Sequence, residues 1–136
     1  MQISYKKAFE LINVLNKLNI EIKDKLSWDI VEFVEKLKPI IADFNKKVEK
    51  INRQFCATDD NGLIIYDNKG DFKYTKEQDQ LRSDATEALF NLTTNLEIHY
   101  CQDFTRLKTF NLVTIHALKD YLFNLSEEDF KLTFLQ

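Results

Sequence analysis

The sequence predicts a mainly α-helical single domain over residues 1–136. Its predicted core is an antiparallel, coiled-coil-like helical hairpin with a β-hairpin at its tip, plus N-terminal and C-terminal helices. Three observations lead to this prediction. The chain has two glycines and one proline in 136 residues, below the usual shares of about 7% and 5%, so long uninterrupted elements are expected. One segment repeats apolar residues at alternating spacings of four and three. Both glycines lie within residues 56–78, between two helical patterns.

The first predicted helix covers residues 4–18. Ser4 precedes the apolar pattern as an N-cap, because its side-chain oxygen can accept hydrogen bonds from free N–H groups of the first turn. The apolar residues that follow are mostly three or four positions apart, which places them on one helix face. They are Tyr5, Ala8, Phe9, Leu11, Ile12, Leu15 and Leu18.

The second predicted helix covers residues 27–56, and Ser27 is its predicted cap. Its apolar residues are spaced 4, 3, 4, 3, 4, 3, 4, a heptad pattern typical of a helix that packs along another long helix. They are Ile30, Val34, Leu37, Ile41, Phe44, Val48, Ile51 and Phe55. At 1.5 Å per residue the apolar stripe is about 40 Å long, so the helix needs a long partner.

Pro39 lies inside this helix, where it has no N–H to donate to the carbonyl of Glu35. The heptad phase is the same on both sides of Pro39, so we predict one kinked helix rather than two. Val31, Phe33 and Ile40 widen the stripe in the first half, whereas charged residues leave only a narrow seam in the second. We therefore expect the first half to be buried and the second half to project.

Residues 63–75 are predicted to form the β-hairpin. The runs LIIYD and DFKYT are rich in β-branched and aromatic residues, and the segment 68–70 between them suits a three-residue turn with Gly70 in the left-handed conformation. Gly62 suits the left-handed end of a helix or turn. Thr75, with Gln78 three residues later, has the pattern of a capping box that starts the next helix.

The third predicted helix covers residues 76–97. Its stripe consists of Leu81, Ala85, Leu89, Leu92 and Leu96. Because turn signals separate two matched stripes, we expect this helix to return antiparallel along the second helix and to be its partner. The same heptad seam, with Val34, Ile41 and Val48 at one position, also suits a parallel homodimer.

A C-terminal helical part is predicted over residues 106–136. Its apolar face consists of Ile115, Leu118 and Leu122. Ser126 has the position of a further helix cap, with Leu125 and Phe130 as a hydrophobic staple around it.

Composition argues against several classes of function. A net charge of −3 argues against a nucleic-acid partner, since binding to phosphates needs a surplus of Lys and Arg. No run approaches 18 apolar residues, so no membrane-spanning helix is expected. Glu10, Asn13 and Asn16 interrupt the N-terminal apolar stretch, which is atypical of a signal peptide. The two cysteines are distant in sequence and are predicted to be free thiols.

No sequence pattern predicts a catalytic, metal or cofactor site. A set of four side chains offers zinc-binding atoms, but at spacings that fit no zinc motif. The four are Cys56, His99, Cys101 and His116. A calcium loop starting at Asp59 would need its glycine at the sixth position rather than the fourth. Turns and helix starts account for the paired carboxylates, which are Asp59, Asp60, Glu127, Glu128 and Asp129. We therefore expect neither an enzyme nor a bound cofactor.

The predicted partner-binding surface is the hairpin tip with the narrow seam beside it. Aromatic and Arg side chains are typical anchors of protein interfaces, and two short strands cannot cover the aromatic ones. The six residues are Tyr66, Phe72, Tyr74, Lys46, Lys50 and Arg53. Two alternatives stay open: the aromatic residues pack onto the helices, and the basic ones form a solvated flank. Phe130 and Phe134 of the C-terminal segment form a competing site.

The order of elements is similar to that of a family of small tailed-phage proteins classed as a domain of unknown function. The matching segments are AFELINVLNKL, the helix to Phe55, DDNG and GDFKYTKEQ, within roughly residues 3–100. The resemblance lends no active site. It implies a phage protein of the host cytoplasm or the virion, with a phage structural protein or a host complex as partner.

The function expected from this resemblance is non-catalytic protein–protein interaction, as a virion component or assembly factor. A small phage inhibitor of a host defence complex, such as an anti-CRISPR, is the first alternative. The helix–β-hairpin–helix core also resembles a prefoldin-type chaperone subunit, which makes such a chaperone the second alternative.

Overall fold

A computed structural model describes residues 1–18, 21–101 and 110–124, together with Ser126, Glu128 and Lys131. The described part is 57% helix, in four helices, and has a small two-stranded antiparallel sheet, which confirms the mainly α-helical class. In chain order the elements are β1 Gln2–Ser4, α1 Tyr5–Asn16, α2 Lys25–Phe55, α3 Lys76–Phe90, β2 Thr93–Asn95 and α4 Leu112–Leu118.

Side-chain caps determine where the helices begin. The Ser4 side chain accepts a first-turn N–H at the start of α1, and Thr75 and Gln78 form a reciprocal capping box at the start of α3, as predicted. The predicted cap of α2 is wrong, because Asp24 rather than Ser27 occupies that position. The Asp24 carboxylate accepts the Ser27 N–H at 2.9 Å, and the Ser27 hydroxyl oxygen accepts the Asp24 N–H at 3.0 Å. Two donors are thus satisfied reciprocally.

α2 is one continuous helix of 31 residues that runs through Pro39. Glu35, whose carbonyl loses its helical donor to the proline, is exposed, as is Pro39. Water can therefore bond the free carbonyl. This explains why the proline does not divide the helix.

Burial along α2 changes at Phe44. All buried side chains of the helix lie between Leu26 and Phe44, whereas the later seam residues Val48, Ile51 and Phe55 are half-buried. The first half therefore contributes to the core, as the wide stripe predicted, and the second half does not bury its seam completely.

The predicted helix over residues 76–97 is wrong in its last turns. α3 ends at Phe90, and Thr93–Asn95 is the strand β2, paired antiparallel with β1. Ile3 faces Thr94 in the register, and the Leu96 N–H donates to the Met1 carbonyl at 2.8 Å. The pairing lets Leu96 become buried, whereas Leu92 stays 58% exposed. Threonines favour extended backbone, and the N-terminal strand supplies the partner that local sequence could not reveal.

In the C-terminal part predicted as helical over residues 106–136, the structure describes α4, which Asn111 caps through its side chain. Ile115, Leu118 and Leu122 are buried in the core. The predicted staple of Leu125 and Phe130, and the competing site with Phe134, lie outside the described residues.

Phe44 is the point at which α1, α2 and α3 meet. Its ring centroid lies 5.5 Å from Tyr5 and 5.0 Å from Phe9, both of α1, and 4.6 Å from Phe90 of α3. Phe9 and Phe90 also contact each other at 5.8 Å. Aromatic pairs of this kind contribute about 0.5–1.5 kcal/mol each beyond their buried area. The cluster therefore packs the C-terminal end of α3 against α1 and α2.

Two helices share the length of α2. α2 packs against both α1 and α3, which have 12 and 15 residues against its 31. Both contact it at Phe44, since Phe9 and Phe90 meet there. α3 is therefore one partner of α2 within the described residues, and α1 is another. α1 lines the buried half of α2 as well.

Replacing Phe44 by Ala should lower the free energy of unfolding by about 3–5 kcal/mol, because a buried ring is lost and a cavity remains between three helices. Leu81→Ala in α3 is the control, since Leu81 is 53% exposed and its loss should cost about 0.5 kcal/mol or less. Urea unfolding followed by circular dichroism measures both. Equal losses for the two variants would contradict the central place of Phe44.

Candidate functional site

The tip that follows α2 is built from three extended segments joined by a closed ring of backbone hydrogen bonds. The Ala57 N–H donates to the Lys73 carbonyl at 2.8 Å, and the Lys73 N–H donates to the Ile65 carbonyl at 3.1 Å. The Ile65 N–H donates to the Ala57 carbonyl at 3.0 Å. Each of the three residues, spaced eight apart, thus satisfies both its backbone donor and its backbone acceptor.

Two turns of the same construction, 59–63 and 67–71, connect these segments. In each turn the first Asp carboxylate accepts the N–H groups two and four residues later, at 2.8–3.0 Å. The glycines have φ of +80° at Gly62 and +83° at Gly70, which confirms the predicted left-handed backbone at both.

The predicted hairpin over residues 63–75 is therefore wrong in detail. The tip forms two short turns with isolated bridges, Thr58 to Ile64 and Tyr66 to Phe72, rather than two continuous strands. The sequence signal for this was the repeat of Asp-x-x-Gly at residues 59–62 and 67–70. Asp59 and Gly62 recur eight residues later as Asp67 and Gly70, so the two stretches form the same kind of turn.

The tip aromatic residues divide into covered and exposed ones. Phe72 lies under the Arg53 guanidinium at 5.8 Å, and Tyr74 lies under that of Arg82 at 4.8 Å. Both rings are half-buried, and burial raises the pKa of the Tyr74 hydroxyl. Tyr66 stacks against Phe72 at 5.6 Å but remains 54% exposed. Of the two open alternatives, packing onto the helices holds for Phe72 and Tyr74, whereas Tyr66 faces solvent.

A cleft of about 400 Å³ lies between the end of α2 and the second turn. We call it the tip cleft, and define it by Asn52, Arg53, Tyr66, Asp71, Phe72 and Tyr74. Four of the six predicted site residues are thus brought together. Asn52 is one of the lining residues, and its amide oxygen Oδ1 is buried with no donor in the part of the chain that the structure describes. A buried acceptor left unpaired costs about 1–3 kcal/mol.

Sequence reasoning missed Asn52 and Asp71 as site residues. Asn52 counted only as a polar residue of the α2 flank, and Asp71 as the first residue of the predicted strand DFKYT. The eight-residue repeat offered a signal for Asp71, because the position equivalent to it in the first turn is Leu63. An aspartate that the turn itself does not need is free for another role.

The other two predicted site residues line a neighbouring groove of about 350 Å³ on α2. Lys46 and Lys50 are exposed, and neither has an ion-pair partner among the described residues. Arg53 belongs to both the groove and the tip cleft, and its Nη2 atom lies 3.1 Å from the Glu49 carboxylate. The basic stripe is therefore partly neutralised within the helix.

Lys47, the basic residue next to Lys46, belongs to a cluster that links α1 to α2. The Tyr5 hydroxyl donates to the Asp43 carboxylate. The Lys47 ammonium donates to the Tyr5 oxygen at 2.8 Å and lies 3.0 Å from Asp43. The pKa of Asp43 is lowered, first by the Tyr5 hydrogen bond and then by that of Lys47. The pKa of Lys47 is raised, first by its bond to Tyr5.

The candidate zinc ligands do not converge in the part of the chain that the structure describes, where no group of three or more His, Cys, Asp or Glu could hold a metal ion. Cys56 and Cys101 are buried and are not joined in a disulfide, as predicted. The Cys56 thiol donates to the Arg53 carbonyl at 3.2 Å, and the exposed His99 lies near Glu97. The Asp59 carboxylate accepts two backbone N–H groups of its own turn.

No protein-family model matches the chain, and neither a curated protein nor a solved structure is significantly similar to it. Within the described ranges, none of the helices combines the length and the apolar character that a bilayer crossing requires.

We predict that the protein binds neither zinc nor calcium in stoichiometric amount. Elemental analysis of protein purified without chelator should find well under one equivalent of either metal, because the Asp59 and Asp67 carboxylates already accept backbone N–H groups. One equivalent of zinc that disappears in a His99→Ala variant would overturn the prediction.

We predict that Asp43 makes stability fall at acidic pH. Its pKa in the folded protein lies below the ordinary value of 3.8, so its contribution is fully present above that value. The contribution is lost as the pH falls through the lower, folded pKa. The free energy of unfolding should therefore fall less between pH 7 and pH 3 in Asp43→Asn than in the unaltered protein.

The control for this pH experiment is Asp60→Asn, because Asp60 is an exposed aspartate of the first tip turn. Its pH dependence should follow that of the unaltered protein. The same acid-side loss in Asp43→Asn and Asp60→Asn would contradict the assignment to the Tyr5–Asp43–Lys47 cluster.

Proposed function

We propose that this chain is a non-catalytic protein–protein interaction protein that contacts its partner through the tip cleft and the exposed ring of Tyr66. The observation that carries the proposal is the cleft itself: aromatic walls, a buried amide oxygen without a donor and a half-exposed tyrosine lie together at one end of the molecule. Interfaces are anchored by such residue types at well-packed pockets. The proposal explains why the Tyr66 ring stays exposed at this position.

We further propose that α3 and the second half of α2 form an antiparallel, coiled-coil-like arm that presents the tip. Support comes from two ends of the arm: Phe44 contacts Phe90 at the base, and the Ala57 N–H bonds the Lys73 carbonyl beyond the far ends of both helices. Within α3, all of which the structure describes, Leu89 is the one buried side chain. An arm so thinly packed suits presentation of a binding surface better than contribution to a core.

A second copy of the chain is a further partner that this arm could accept. Val34, Ile41 and Val48 occupy one heptad position and are half-buried along α2. A parallel homodimer would cover them while leaving the tip accessible.

The proposed biological setting is a tailed phage, with the chain as a virion component or assembly factor. It rests on the resemblance of the helix to Phe55, DDNG and GDFKYTKEQ described above. A host-directed inhibitor of a defence complex and a prefoldin-like chaperone are the alternatives. A virion component should co-purify with particles, whereas an inhibitor should appear early after infection and bind one host complex.

Photo-crosslinking tests the tip directly. Benzoylphenylalanine in place of Tyr66 should crosslink one discrete partner in infected cells. The same probe in place of Trp28, which is 55% exposed and lies in the first turn of α2, should not. Equal crosslinking at both positions, or crosslinking at position 28 alone, would contradict the proposal.

The affinity of the purified partner then measures the contribution of the ring. Tyr66→Ser should weaken binding about tenfold or more, or roughly 1.4 kcal/mol, with helix content unchanged by circular dichroism. Trp28→Ser is the matched control. Tyr66 is preferred over Phe72 and Tyr74, because the arginines above those two rings make them part of the tip structure. Normal binding by Tyr66→Ser, together with loss after truncation at Asn124, would assign binding to the C-terminal segment.

A further inference from the structure

We propose that the tip cleft binds a cationic side chain of the partner, an arginine or a lysine, which inserts as a hydrogen-bond donor between Asn52, Asp71 and the tip tyrosines. This inference rests on the proposed function and adds the chemistry of the group that is recognised. Among the described residues that line the cleft, the Asn52 amide oxygen and the Asp71 carboxylate have no donor, whereas the cation Arg53 is already paired with Glu49.

The acceptors converge from two elements of the fold. Asn52, near the end of α2, contributes a buried amide oxygen without a donor among the described residues. Asp71, from the second turn, lines the same cleft, and its carboxylate makes no hydrogen bond or ion pair within the described part of the chain. Its backbone N–H, by contrast, is bonded to Asp67 at 3.0 Å, so the residue is held while its charge stays available. An ammonium or guanidinium group could satisfy both acceptors at once.

The walls of the cleft suit a cation as well. The face of an aromatic ring attracts a positive charge within about 6 Å of its centroid. The chain already uses its own tip in this way, since the Arg53 and Arg82 guanidinium groups lie 5.8 and 4.8 Å from the Phe72 and Tyr74 rings. Tyr66 is the tip ring that remains more than half exposed, and it is available to a cation from the partner.

An anionic side chain fits the cleft less well. The one cation that lines it, Arg53, is held by Glu49 through two nitrogens at 3.1 and 3.3 Å. Arg82 is likewise held by Asp79 at 2.6 Å. An incoming carboxylate would meet the Asp71 carboxylate with no unpaired cation among the described lining residues to offset the repulsion. The segment 56–79 also carries six acidic residues against three lysines, so its field favours a positive group.

A small probe isolates this chemistry from the unknown partner. We would titrate N-acetyl-arginine methylamide into the ¹⁵N-labelled protein and follow the Asn52 side-chain amide and the Gly70 backbone amide by NMR. Saturable shifts at these groups are expected with a dissociation constant of roughly 1–10 mM, typical of a single side chain. The lysine derivative should shift the same signals. The citrulline derivative, which has nearly the same shape without the charge, should bind about tenfold more weakly.

Two substitutions with opposite effects make the test independent of folding. Asp71→Asn should weaken arginine binding several-fold, because the charge is lost while the backbone hydrogen bond to Asp67 remains. Asn52→Asp should strengthen it, because a buried neutral acceptor becomes a charged one. Asp60→Asn, in the first turn and outside the cleft lining, should leave the dissociation constant unchanged. A dispersed spectrum establishes that each variant is folded.

The inference is overturned if the arginine probe gives no saturable shift at the cleft. It is also overturned if the glutamate derivative shifts these signals more than arginine does, or if Asp71→Asn and Asp60→Asn behave alike. These outcomes are separable from the proposed function. Crosslinking at Tyr66 without arginine binding refutes the cationic group alone, whereas arginine binding without crosslinking at Tyr66 supports the inference and refutes the proposed partner contact.

Discussion

The packing of Phe44 against rings from α1 and α3 is the constraint on which the rest of the structure depends. Neither α1 nor α3 is long enough to cover α2 alone, and Phe44 is where both contact it. It is also the last fully buried side chain of α2. Beyond Phe44, the side chains of α2 are half-buried or exposed, and Lys47 still bonds Tyr5 of α1.

The tip holds its shape by hydrogen bonding rather than by an apolar core. Three backbone bonds among Ala57, Ile65 and Lys73 close a ring, and the carboxylates of Asp59 and Asp67 each accept two N–H groups within their turns. Because these bonds close the turns, neither the Tyr66 ring nor the Asp71 carboxylate is used to hold them. This is the physical reason why an aromatic ring and a carboxylate can remain accessible in so small a structure.

Some charged side chains near the tip are paired within the structure, whereas others have no partner among the described residues. Arg53 and Arg82 cover aromatic rings and pair with acids one helical turn away, so they stabilise the joint between tip and helices. Lys47 is engaged with Tyr5 and Asp43. Lys46 and Lys50 on the groove, and the Asn52 oxygen and the Asp71 carboxylate of the cleft lining, have no partner among the described residues. The tip cleft and the groove are therefore adjacent surfaces of opposite electrostatic preference.

Local sequence was sufficient for what neighbouring residues decide. The caps at Ser4 and Thr75 and the left-handed glycines depend on atoms within a few positions, and the buried half of α2 follows from its periodicity. The end of α3 was decided elsewhere, because β2 exists only by pairing with β1, some ninety residues earlier in the chain. The tip cleft likewise depends on contacts between residues that are distant in sequence. Six site residues were predicted from type, but their division into covered rings, a bound arginine and free lysines depends on contacts between α2, α3 and the turns. Asn52 became a candidate only because folding buries its amide oxygen without a donor, and no periodicity in a sequence encodes the absence of a distant partner.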